Sequence, residues 1–138
     1  MTKFVSLSYF NFSYNCCCLL GMLFWLAASP LFAQTKEDIY KQINQERIAR
    51  GVSAIPVDKK LEKSAQSWAF FMPYRGVHNT NFRRRFNRMG GECIAWGASP
   101  VEGWIRSKPH SRIIFGKSVK AIGLGYWRGK WVLRTFTN

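Results

Sequence analysis

The chain holds two histidines, His78 and His110, and the run "GGECIAWGASPVEGWIRSKPH" at 90–110 places Glu92 between them and ends on the second imidazole. Two neutral imidazoles and a carboxylate suit a divalent cation such as zinc, with one coordination position left open. The same three groups also suit proton transfer. Glu92 is one of only seven acids, and Gly90 and Gly91 allow a tight turn just before it. The plainer alternative is that each histidine hydrogen-bonds its own loop and Glu92 closes its turn. That both histidines group with this one carboxylate favours a shared cleft, so His78, Glu92 and His110 are the candidates for metal ligation and for any catalysis. Cys93, beside Glu92, admits a cysteine–histidine nucleophile. Neighbours in extended backbone point to opposite sides, however, so a cleft-facing Glu92 turns Cys93 toward the core. Trp96 and Trp104 read as core packing and a wall of the cleft.

Residues 16–28, "CCCLLGMLFWLAA", are continuously apolar, follow a tail whose only charge is Lys3, and run into "SPLFAQ". This predicts a secretory signal peptide over 1–33, ending at Ala33, and one domain over 34–138. The run is shorter than the ~20 residues of a membrane span, and Ser29 and Pro30 break it. The long polar-aromatic tail before it, and Leu31 where a smaller residue is preferred, keep an uncleaved N-terminal anchor as the alternative. The expected location is secreted or periplasmic, with membrane anchoring as that alternative. Cys16, Cys17 and Cys18 leave with the signal peptide, so Cys93 alone remains, as a buried thiol, a reactive one or a link between two chains of an otherwise monomeric protein.

Without Lys3, 20 Lys and Arg face 7 Asp and Glu, a balance of +13. Such an excess favours anionic partners: a phosphate-rich envelope polymer or lipid headgroups. Nucleic acid is disfavoured by export. The densest cluster is "RRRFNR", where Arg83, Arg84, Arg85 and Arg88 surround Phe82 and Phe86, a mixture able to grip a polyanion. Its bland counterpart is a solvated loop in a protein that is basic throughout.

These residues need elements to hold them. "TKEDIYKQINQERIARG" predicts an amphipathic helix, with Ile39, Ile43, Glu46 or Arg47 and Ile48 at helical spacing, acids in the first turn and Gly51 as stop. "SAIPVDKKLEKSAQSWAFFM" predicts a second, capped by Asp58 and lined by Leu61, Ala65, Trp68, Ala69 and Met72 until Pro73. From Pro73 to Gly91 no period is visible. Ser99 and Pro100 open a short third helix bearing Val101, Trp104 and Ile105, which Pro109 interrupts. "AIGLGYWRGKWVLRTFT" alternates on both sides of Arg128 and Gly129, as a β-hairpin does. Helices first and strands last predict an α+β domain with helices packed on a small antiparallel sheet.

The "GE-x-I-A-x-G" turn, the helix bearing Trp-x-x-Ser followed by His, the segment "IGLGYW" and the last aromatic strand resemble the bacterial branch of the CAP superfamily, named for cysteine-rich secretory proteins, antigen 5 and pathogenesis-related proteins. The match spans 37–137. It implies an α-β-α sandwich whose cleft gathers a histidine after the second helix, the glutamate of the turn and a later histidine, which fall here on His78, Glu92 and His110. The motif's Asn is Cys93 in this chain, Ser107 sits at the spacing of a second family glutamate, and the link from His78 to Glu92 is short. The resemblance favours a secreted binding module for something anionic or lipidic at the envelope, in which Arg83, Arg84, Arg85, Arg88 and Ser107 contribute to binding; the alternative is a metal-assisted hydrolase using the same cleft.

Overall fold

A computed structural model describes residues 34–85 and 90–137, without the side chains of 83–85. The expected signal peptide and Arg88 lie outside the described residues. Contacts set off Ala33–Asn138 as one compact unit.

Helix α1 (Lys36–Ala49) opens on a capping box: the Thr35 hydroxyl accepts from the Asp38 N–H, and the Thr35 N–H donates to the Asp38 carboxylate at 3.0 Å. These bonds to Thr35 hold the Asp38 carboxyl below its ordinary value. Ile39, Tyr40, Ile43 and Arg47 form its buried side. Ile48, expected on that side, is exposed, because its helical position falls beyond the stripe that Arg47 completes. Helix α2 (Lys59–Phe71) starts at Asp58, whose Oδ1 accepts from the N–H groups of Lys60 and Leu61. Its buried stripe is Leu61, Ala65 and Ala69.

The expected structureless stretch contains a short helix, α3 (Thr80–Arg85). Asn79 starts it, its side-chain oxygen accepting from the N–H groups of Asn81 and Phe82. One turn stabilised by a single Asx cap carries too few apolar positions to show a period. Strand β1 (Glu92–Trp96) follows, then α4 (Pro100–Arg106), α5 (Lys108–Phe115), β2 (Val119–Trp127) and β3 (Lys130–Thr137). Pro109 does interrupt the helix after Ser99, but it does so by opening another: it occupies the first turn of α5, where its missing N–H costs nothing.

The three strands run antiparallel in the order β1-β3-β2. Arg128 and Gly129 join β2 to β3, both at positive φ (46° and 79°), the backbone of a tight two-residue hairpin whose twist matches its strands. Helix α2 covers one face of the sheet, where Ala65, Ala69 and Met72 meet Val132 and Ile94. Gly123 and Gly125 make that contact possible, since a Cβ on either would run into the α2 backbone at Leu61 or Ala65. On the other face α1, α4 and α5 bury Ile39, Ile43, Val101, Trp104 and Ile114 against Cys93, Leu124 and Leu133. The Tyr40 hydroxyl ties the layers, accepting from the Leu124 N–H at 2.7 Å and donating to Glu62 at 3.2 Å. The architecture is an α-β-α sandwich of the α+β class.

Candidate functional site

Glu92 is the first residue of edge strand β1 and stands opposite Arg134 of β3. A cross-strand pair of opposite charges meets directly on one face of the sheet, here the face covered by α2. Arg134 Nε and Nη2 donate to Glu92 Oε2 at 2.9 and 2.7 Å. The Asn79 N–H donates to Oε1 at 2.8 Å, and His78 Nδ1 lies 3.1 Å from the same oxygen, a contact the acceptor-only carboxylate satisfies when Nδ1 carries the proton. The side chains of Glu92 and Arg134 are 6% and 3% exposed, so the pair is shielded from water. Arg134 Nη1 also donates to the Ser64 carbonyl at 2.9 Å and to the Ser64 hydroxyl, and the guanidinium lies 4.3 Å from the centre of the Phe82 ring. Burial pushes the guanidinium below its ordinary value while Glu92 pulls it back up; arginine remains a cation under any such balance.

Beside this pair lies a cavity of about 420 Å³, lined by His78, Asn79, Thr80, Gly90, Gly91, Glu92 and Ile113. His78 is the exposed wall. His110, on α5, is half-buried and lies outside that lining. It is still near enough to feel the other imidazole: burial first, and the charge of His78 second, lower its pKa from 6.5. The structure therefore joins His78 to Glu92 in direct contact and leaves His110 off the cavity lining, close enough to His78 to feel its charge.

Glu92 has no acceptor position left over for a zinc ion. A carboxylate offers about four acceptor positions, and on Glu92 four contacts fill them: two from Arg134, one from Asn79 and one from His78. Its counter-cation is already built into the chain. Among the described residues no group of three or more His, Cys, Asp or Glu is placed to hold a metal ion.

Cys93 points the other way from Glu92, fully buried in the core, with Sγ 4.0 Å from the His110 carbonyl. Burial, and then the charge of Glu92, push its thiol well above the ordinary range, the opposite of what an activated nucleophile needs. It also presents no sulfur to a second chain. Ser107 closes α4 and opens α5 without a side-chain capping bond. Trp104 is a core residue, donating from Nε1 to the Ile94 carbonyl at 3.2 Å. Trp96 is not: it is 40% exposed, and its ring lies over Gly76. The backbone of Arg83, Arg84 and Arg85 forms the last turn of α3.

Arg134 went unnoticed in the motifs, although the signal exists. In "WVLRTF" alternation puts Arg134 on the face of Val132, which the strand pattern marks as buried. A charge on a buried face requires a partner, and few carboxylates are available in this chain.

A family model described as CAP, the cysteine-rich secretory protein family, matches residues 40–132. Comparison with curated protein sequences found no match. Among solved structures, the fold is similar to an extracellular protein containing an SCP domain from Bacillus anthracis, with 15% identity, a TM-score of 0.64, and coverage of 74% of this chain and 40% of that one. It is similar to a cysteine-rich secretory protein from Staphylococcus aureus at 14% identity and TM-score 0.63, covering 72% and 36% of the two chains. An outer surface protein from Borrelia burgdorferi matches at 20% identity and TM-score 0.62, over 76% of this chain and 96% of that one. The chain thus spans about two-fifths of the length of the first two and nearly all of the third. The ordered helices, the three-stranded sheet and the match over 40–132 show that the chain belongs to the cysteine-rich secretory protein family.

Proposed function

We propose that the chain is an exported binding module acting at the cell envelope or outside the cell, which holds anionic polymer or lipid by charge. The observation that carries this reading is the saturation of Glu92 by Arg134, Asn79 and His78. A carboxylate without a vacant acceptor position offers no place for a metal or for an attacking water, which leaves the metal-assisted hydrolase without its central group. The basic balance of residues 34–138 then supplies the affinity. Export is supported by the apolar run at 16–28 and by the extracellular and outer-surface descriptions of two structural relatives. Among the described residues no helix is long and apolar enough to cross a membrane.

Cosedimentation with vesicles containing phosphatidylglycerol, and retention on an immobilised polyphosphate, test the reading. Binding to at least one should fall at least about tenfold between roughly 0.05 and 0.5 M salt, as screening shortens the reach of surface charge. Replacing Arg83, Arg84, Arg85 and Arg88 by Ser should weaken it more than replacing four scattered cations. Indifference of the protein to both anionic surfaces would sink the proposal.

A further inference from the structure

A second cavity, also about 420 Å³, shares Asn79 with the first and is walled on one side by Lys60, Lys63, Ser64 and Ser67 of α2. The spacing i, i+3, i+4, i+7 places these four on one stripe, turned away from the buried Leu61, Ala65 and Ala69. Asn79 and Asn81 stand across from them, and Arg134 also reaches the lining. Among the described residues no carboxylate lines the space. Glu62, the acid between the two lysines, is taken by Lys59 at 2.9 Å and by Tyr40. Glu92 is taken by Arg134. Lys60 and Lys63 are exposed, and among the described residues neither forms a salt bridge.

Two ammonium groups on one helix face, with no anion between them, repel each other mildly. An anion that bridges them removes that cost and gains charge-assisted hydrogen bonds. The neutral groups alongside, the Ser67 hydroxyl and the Asn81 amide, add donors that suit phosphate oxygens or the hydroxyls of a polyol.

We infer that this groove is a seat for a phosphate ester, with Lys60 and Lys63 binding the phosphate and Ser67 and Asn81 its remaining oxygens or its carrier. The inference rests on the anionic-ligand reading and gives it an address. Glycerol phosphate is the chemistry shared by two sources, a phosphate-linked envelope polymer and an anionic lipid headgroup.

The experiment is a calorimetric titration of the purified protein with glycerol 3-phosphate. Lys60→Ala with Lys63→Ala should weaken binding at least about tenfold, one charge-assisted contact being worth that much. Lys117→Ala with Lys120→Ala removes the same charge from exposed positions on another groove, the one bordered by Arg47, and should change affinity less than about twofold. Ser67→Tyr narrows the seat at unchanged charge and should weaken binding too. Every substituted residue is exposed, and an unchanged thermal midpoint confirms that the fold persists. Displacement by soluble poly(glycerol phosphate) assigns the polymer as source; binding confined to phosphatidylglycerol vesicles assigns the headgroup; both must depend on Lys60 and Lys63. Equal losses from the two lysine pairs, or no response to Ser67→Tyr, overturn the seat while salt-sensitive adhesion still upholds the envelope reading. Loss of all anion binding in the unaltered protein fails both.

Discussion

Arg134 determines what Glu92 is able to do. Removing one member of a buried ion pair leaves the other charged and unpaired, which costs about 3–5 kcal/mol, whereas replacing both by apolar groups of similar volume is often neutral or better. Arg134→Met should therefore lower the unfolding free energy by about that amount, and Glu92→Met with Arg134→Met should recover most of it. Denaturant melts of the four proteins in this cycle measure the coupling; additive losses would mean that the pair contributes no interaction of its own. The sequence names His78 and Glu92 as candidates for one cleft, since few groups of that chemistry exist in the chain, and the structure puts His78 Nδ1 3.1 Å from Glu92 Oε1. The partnership of Glu92 with Arg134 was not legible in the sequence, since the two residues are 42 positions apart and meet only through the strand register. The side chain of Cys93 was legible for the opposite reason: strand alternation alone turns it inward.

The longer elements announced themselves locally. Helices α1 and α2 carry their caps and a 3.6-residue stripe within a single stretch, and the last hairpin carries its turn residues between two alternating runs. The shorter ones did not. Strand β1 has five residues on the sheet edge, paired to residues near the end of the chain, so nothing nearby marks it. Helix α5 was hidden by reading Pro109 as a terminator when it is an initiator, and this matters because α5 carries His110. The folded pKa of His110 lies below 6.5, through burial and then the charge of His78, so the unfolded chain binds the proton more readily. The stability this contributes is fully present above about pH 6.5 and is lost as pH falls toward the folded pKa. Urea melts at about pH 7.5 and pH 5.5 should show a smaller difference in His110→Gln than in the unaltered protein. An identical difference in both would place His110 outside the acid response.

For the whole molecule, charge is put to two uses. Three of the cations are interior fittings. Arg47 donates from Nε to the Ser53 carbonyl and from Nη1 to those of Ile114 and Gly116, Lys130 donates to the Met72 carbonyl at the end of α2, and Arg134 holds Glu92. Burial lowers the pKa of the Arg47 guanidinium. Carbonyl groups at helix ends need such donors when no water reaches them. The other is at the surface, where Lys60, Lys63, Lys117 and Lys120 are exposed and the first two border the proposed phosphate seat. A sequence tally cannot separate these uses, because the division depends on which side of each element faces the sheet. Glu92 belongs to the first of them, as half of an internal ion pair, which supports the proposed binding role over a metal-assisted reaction. A crystal structure of the protein soaked in zinc at neutral pH tests this most directly. The account predicts Arg134 within hydrogen-bond distance of Glu92 Oε2 and no metal on the carboxylate; a zinc ion held by His78 and Glu92, with the Arg134 guanidinium swung away, would contradict it.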